Sequence, residues 1–300
     1  MSNRLTNWLI FIALSFIWGS SFILMKEGMK GLSAFQVASL RIISSGIVLL
    51  PVAYRSFKAV PRNKIGVIFM SGVLGSLLPA YLFCIAEQDI DSALAGVLNS
   101  LTPIFVILIG ALFFQTTTST NKVIGIMIAL TGSVLLFFTQ PDFSKNSNSF
   151  YVFLVVIATV MYGINVNLVQ RHLKNIPSIQ IASMAFFLNS VPAVIILYFT
   201  GYFQRDFSQH SFLIATGYSC ILGIFGTAIA SVIFYMLIKR AGAVFSSMVT
   251  YGIPLVAIGW GILYGEKIGW IQMFSLVIIL AGVFVANKKV AKPGPGIIAI

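Results

Sequence analysis

Charge is scarce in this 300-residue chain: 9% of its residues are Asp, Glu, Lys or Arg, against about 25% in an ordinary soluble domain. So few charges cannot cover a water-exposed surface, which excludes a soluble globular enzyme and a disordered chain. Cysteine and histidine are nearly absent, at two each. Cys84 and Cys220 fall inside apolar runs and are read as reduced packing residues, because a zinc site needs more ligands than these. No glycine-rich phosphate loop and no ATP-hydrolysing domain are found, which excludes a primary pump. The string Gly217–Cys220 (GYSC) resembles a serine nucleophile, but no His lies mid-span to activate Ser219, so no catalytic residue is expected. Nothing calls for a metal or a cofactor.

What is present is apolar sequence. Hydrophobic residues make up 58% of the chain and the mean hydropathy is +0.99. A membrane-spanning helix takes about 20 mostly apolar residues, since each rises about 1.5 Å through a core about 30 Å thick. Ten such runs are readable: Trp8–Met25, Ser33–Tyr54, Ile65–Ala86, Ala93–Phe114, Val123–Phe138, Phe150–Gln170, Ile179–Thr200, Phe212–Ile238, Val244–Tyr264 and Trp270–Asn287. A transmembrane β-barrel needs shorter strands of alternating polarity, whereas these runs are apolar at both parities. The first run follows Arg4, as in a signal peptide, but it is long, ends in the polar string WGSS and shows no clear small-x-small cleavage site; it is read as the first span.

The net charge of +12 is an orientation signal rather than a nucleic-acid one. With the amino terminus in the cytoplasm, thirteen basic residues fall on the inner side and five on the outer side, and Arg41 alone lies within a span. The positive-inside rule then puts both termini in the cytoplasm of a plasma (inner) membrane protein. All seven acids fall on the outer side. The basic face suits anionic lipid headgroups. Nucleic acid is not an expected partner, and homodimerisation is left open.

The two halves resemble each other. A shift of 144 pairs Trp18-Gly19 with Tyr162-Gly163, Gln36 with Gln180 and Ser39 with Ser183. A shift of 148 pairs Ser71, Leu74 and Gly75 with Ser219, Leu222 and Gly223. A shift of 151 pairs Pro103 with Pro254, Gly110 with Gly261 and Gln115 with Glu266. Five spans being odd, the second half enters from the opposite face. The expected fold is all-α and integral to the membrane, ten transmembrane helices as two inverted five-helix repeats around a central cavity. The units are residues 1–143 and 144–290, with a flexible cytoplasmic tail at 291–300.

At ALSFIWGSSFILMK, SLRIISSGIVLL, LTPIFVILIGALFF and above all YGIPLVAIGWGILYGEKIGWIQMFSLVIILAGVFV, the chain resembles the ten-helix EamA branch of the drug/metabolite transporter superfamily, over residues 7–287. The resemblance implies a helix bundle that moves small metabolites by alternating access, often outward. One departure is Gln115, where the family pattern often has Glu; the second half keeps Glu266.

Arg41 lies about 12 Å below the outer end of span 2. A charge at mid-span is unfavourable by about 2.5–3.5 kcal/mol on insertion scales. Two readings stay open: a cavity cation for an anionic substrate group, or a structural pin bonded to backbone carbonyls or to Glu87 or Asp91. Its repeat partner is Ala185. Trp18 with Ser21, and Tyr162 with Asn165, are matched i, i+3 pairs, each on one helix face. Asn99 aligns with Thr250 and Ser100 with Tyr251, just before Pro103 and Pro254, candidate kinks where a freed carbonyl can line a cavity. Tyr81 and Tyr235 are further cavity candidates. The small-residue spacings Ser71/Gly75, Gly242/Ser246 and Gly261/Gly265 are read mainly as close packing. The acids lie near the outer ends, which favours a facilitator or exchanger, or else coupling through Glu87 or Glu266 near the outer mouth. The leading reading is a secondary transporter, an exporter of small amino-acid-like solutes, and not an enzyme; the alternative is a non-transporting sensor or scaffold.

Overall fold

The computed structural model describes residues 3–90, 92–138, 149–263 and 269–287, and among them every regular element is helical. In chain order the long helices are α1 (Asn3–Met29), α2 (Ala34–Ala59), α3 (Arg62–Ala86), α4 (Leu94–Phe114) and α5 (Thr120–Phe138). They continue as α6 (Ser149–His172), α7 (Ser178–Phe199), α8 (His210–Ala241), α9 (Ala243–Trp260) and α10 (Trp270–Asn287). Nine of these are long and apolar enough to cross a membrane, and the apolar core of α5, Thr120–Leu136, is shorter. The chain is a multi-pass membrane protein. Phe113, Phe199 and Trp270 are 76%, 81% and 91% exposed, which suits side chains that meet lipid rather than water.

Local chemistry sets the helix ends. Ser33 and Gln36 form a reciprocal capping box at the start of α2: Ser33 Oγ accepts from the Gln36 backbone N–H at 3.3 Å, and Gln36 Oε1 accepts from the Ser33 N–H at 3.0 Å. Gly242 turns the chain from α8 to α9 at φ 88°, a conformation that favours glycine. Gln115 closes α4 in the left-handed region at φ 52°. The segments that include Asp91, Asp142, Tyr264, Glu266 and Gly265 lie outside the described residues, as do the surroundings of Gly261 and the tail expected at 291–300.

Four helices depart from α geometry. In α3 the turn Val73–Leu77 is π-helical, and in α8 so is Leu222–Ile229. A single-turn π-bulge widens the helix and often marks a functional position. In α9 the stretch Met248–Gly252 is a 3-10 turn, and in α4 a break at Ser100 and Leu101 separates Ser92–Asn99 from Thr102–Phe114. Pro103 and Pro254 both sit in the first turn of the segment after the break, where the missing N–H has no intrahelical partner to lose.

The packing repeats between halves. Helix α2 packs on α7, and α5 on α10; α4 packs on α6, as α1 does on α9; α3 packs on α6, as α1 does on α8; α2 packs on α8, as α7 does on α3. This set of neighbours is unchanged when each of the first five helices is exchanged with the helix five later.

Candidate functional site

A cavity of about 100 Å³ opens at the middle of the bundle, room for several waters or a small solute group. It is walled by α1, α2, α3, α4, α6, α8 and α9; among the described residues α5, α7 and α10 contribute no side chain. The wall combines aromatic rings with hydroxyls and amides, and Arg41 supplies its only ionised group among the described residues.

Of the residues singled out from sequence, the cavity gathers Trp18, Ser21, Arg41, Asn99, Tyr162, Asn165, Tyr235 and Thr250. Trp18 Nε1 donates to the Gly226 carbonyl at 3.0 Å, fixing its ring between α1 and the π turn of α8. Ser71 Oγ donates to Asn165 Oδ1 at 2.7 Å and lies 3.3 Å from the Tyr235 hydroxyl, so three helices share one polar cluster. That cluster needs Gly75, where a Cβ would overlap the Asn165 amide. Asn99 Oδ1 accepts from Thr102 Oγ1 at 3.3 Å, and Thr250 Oγ1 donates to Ser247 O at 3.0 Å.

The structure places Tyr81 and Tyr251 elsewhere. Tyr81 is buried with its hydroxyl 2.7 Å from Ser39 Oγ, which ties α3 to α2. Tyr251 is fully buried and donates to the Ile126 carbonyl at 3.1 Å, joining α9 to α5. Neither lines the cavity: each ring is spent on helix–helix packing, as a buried hydroxyl needs a partner. Pro103 and Pro254 likewise do not line it.

Arg41 is held by the π turn of α8. Its Nε donates to Thr227 Oγ1 at 2.5 Å, and that hydroxyl in turn donates to Leu222 O, five residues back, at 3.4 Å. No ion pair to Arg41 occurs among the described residues, where the one pair found is Lys30–Glu27. The two terminal guanidinium nitrogens make no hydrogen bond there. Among the described residues one guanidinium nitrogen is held, and by a hydroxyl; Asp91, a partner the structural-pin reading names, lies outside them.

Sequence reasoning missed Thr227, Ser231 and Ser76, and the rings Phe22, Phe83 and Phe234, all of which line the cavity. Trp18 and Phe234 meet edge-to-face at 5.0 Å, and Phe83 stacks on Tyr162 at 6.1 Å. The one available signal was the glycine pair Gly223 and Gly226, just before Thr227 in the same turn, which lets α8 approach α2 and α1.

The fold and cavity define a polytopic helical membrane protein with a largely apolar chamber that holds hydroxyls, amides and, among the described residues, one charge. The EamA-like transporter family matches residues 6–138 and 149–288, and the chain belongs to that family. Its relatives include an uncharacterized transporter of Archaeoglobus fulgidus, 27% identical over 94% of this chain and 99% of the relative. The uncharacterized inner membrane transporter YedA of Escherichia coli K12 is 26% identical over 96% of this chain and 92% of its own. The uncharacterized transporter YdfC of Bacillus subtilis is 24% identical over 92% and 89%. One solved crystal structure shares the fold, with a TM-score of 0.73 at 16% identity, covering 94% of this chain and 96% of that one.

Proposed function

We propose that the chain is a secondary transporter of small amino-acid-like solutes, working by alternating access between two inverted five-helix halves, residues 1–143 and 144–290. The observation that carries this reading is the central cavity, walled by helices of both halves, where among the described residues the terminal nitrogens of Arg41 have no partner and aromatic rings surround them. A guanidinium whose terminal nitrogens meet no partner among the described residues suits a carboxylate, which it can grip through two parallel hydrogen bonds. The rings suit the apolar body of such a solute. The two-half mechanism is supported by the exchange-invariant packing and by the two separate family matches. Two similar halves can trade conformations, which turns an opening on one face into an opening on the other. The outward direction rests on the resemblance to the family alone.

Protein in liposomes preloaded with a panel of unlabelled amino acids is expected to take up the labelled counterpart by counterflow. Asn165→Leu is expected to slow this at least about tenfold by filling the chamber. Absence of counterflow for every solute, or full counterflow in the folded variant, would sink the reading.

Both termini are placed in the cytoplasm of the plasma membrane, because thirteen basic residues fall on that side and five on the other. Single cysteines at Lys58 and Asp89 are expected to react with an impermeant thiol reagent from opposite sides of the membrane. Reaction of both from one side would overturn the topology.

A further inference from the structure

Glu87 is the first residue beyond α3 and one of the few acids near the bundle's interior. It lies one turn past Phe83, on the same helix side, and Phe83 lines the cavity. Its side chain is 7% exposed. Oε2 accepts from Ser92 Oγ at 3.3 Å, and Oε1 is buried with no hydrogen-bond partner among the described residues. A carboxylate stripped of water with one oxygen unsatisfied is unfavourable, and a proton on it removes the charge.

The surroundings bear on that proton from several helices. Lys26 of α1 and, more weakly, Arg41 of α2 act on the carboxyl electrostatically, with no ion pair to it among the described residues. Cys84 lies on its own helix and feels both Arg41 and Glu87. From α6, the Tyr162 hydroxyl enters the field of Arg41 and Cys84. Beyond α3, Ser92 supplies a hydroxyl. Burial dominates, and the Glu87 carboxyl is pushed up to about 8.

We propose that Glu87, one helical turn beyond the cavity-lining Phe83, is a proton-binding site, and that its proton and a carboxylate solute at Arg41 are bound together. This rests on the transport reading above. The link is electrostatic. The Arg41 charge favours ionised Glu87; an anion seated on Arg41 cancels that charge, so the proton on Glu87 is held more tightly. By reciprocity, the protonated acid no longer competes for Arg41, and the anion binds more tightly. Above pH 8 the acid ionises and the anion is repelled. A carrier wired this way moves one proton with one anion and leaves the net charge of the loaded site unchanged.

The test has two arms. Infrared titration of the protein without solute, in wild type, Glu87→Gln and Glu87→Asp, reads the buried acid directly. A protonated carboxyl band that fades near pH 8 in wild type, shifts in Glu87→Asp and is missing in Glu87→Gln is the expected result. A wild type with no such band, or a band unmoved by both substitutions, overturns the proton site; the wild-type titration decides this even if a variant does not fold. The second arm measures binding of phenylacetate and 4-methylpentanoate, anions whose own charge is the same at both values, by thermal stabilisation at about pH 6 and about pH 10. Affinity of the wild type is expected to fall at the higher pH by about 5- to 150-fold, the usual range of site coupling, with the fall lost in Glu87→Gln. An equal fall in the variant overturns the link. Failure of the wild type to bind any carboxylate, with the infrared band present, overturns both the carboxylate reading and the link while leaving the proton site standing.

Discussion

The joint between α2 and α8 and the joint between α7 and α3 are built alike and charged differently. In the first, Ser45 Oγ lies 2.6 Å from the Arg41 carbonyl one turn back and 2.8 Å from the Gly223 carbonyl across the interface. In the second, Asn189 Nδ2 donates to the Ala185 carbonyl one turn back at 2.7 Å and to the Phe69 carbonyl across the interface at 3.2 Å. The 144-residue shift that aligns the halves places Ser45 on Asn189 and Arg41 on Ala185. Both joints therefore close with a short polar side chain bridging two backbone carbonyls, beside a π-helical stretch. The second does so with a methyl group where the first has a guanidinium. A charge is thus not what the joint requires, and the unfavourable insertion of Arg41 must be offset by something the second joint does not do. Binding an anion in the cavity is such a task, and α7 contributes nothing to the cavity wall among the described residues.

The largest expected effect follows from removing that difference. Arg41→Ala makes the first joint resemble the second. Hydrogen bonds to a charged group contribute about 1.5–3 kcal/mol, so counterflow of a carboxylate solute should fall by about 10- to 100-fold. Folding should change little, because the variant loses the bond to Thr227 and keeps the Ser45 bridge. A single hydrogen bond contributes about 1 kcal/mol net, which thermal unfolding in detergent would read as a shift of a few degrees. A variant that fails to fold would break the comparison and return Arg41 to the role of a strut.

Much of this was legible in the chain. Spans of apolar residues need no tertiary information, because the bilayer sets their length, and the helices begin and end within a few residues of the apolar runs. The pairs Trp18/Ser21 and Tyr162/Asn165 were also readable, since polar groups at i, i+3 in an apolar helix must share a non-lipid face. The tyrosines were not: Tyr81, Tyr235 and Tyr251 look alike in sequence, and what separates them is whether a hydroxyl finds Ser39, the Ser71 cluster or the Ile126 carbonyl. The π turn of α8 was hidden too, since it arises from packing against α2 and α1 rather than from any residue's own preference. It brings in Thr227, and with it the anchor of Arg41. That Glu87 Oε1 meets no partner among the described residues is a property of burial, which no single-residue signal reports.

A smaller effect separates the joints by what stands opposite each glycine. At Gly223 an added Cβ would overlap the Arg41 carbonyl and Ser44 Oγ, and a backbone oxygen cannot step aside without moving α2. At Gly72 an added Cβ would first overlap the Asn189 amide, a side chain, with the Ala185 carbonyl at 3.1 Å beyond it. Overpacking costs about 1–3 kcal/mol, and Gly→Ala returns about 1 kcal/mol of helix propensity. Gly223→Ala should therefore lower the thermal midpoint and, by displacing Arg41, slow counterflow. Gly72→Ala should shift the midpoint less and leave counterflow near wild type, because the joint it disturbs carries no cavity charge. Equal losses of flux in the two variants would mean that transport depends on both joints moving alike, and that the contrast between them lies in binding rather than in motion.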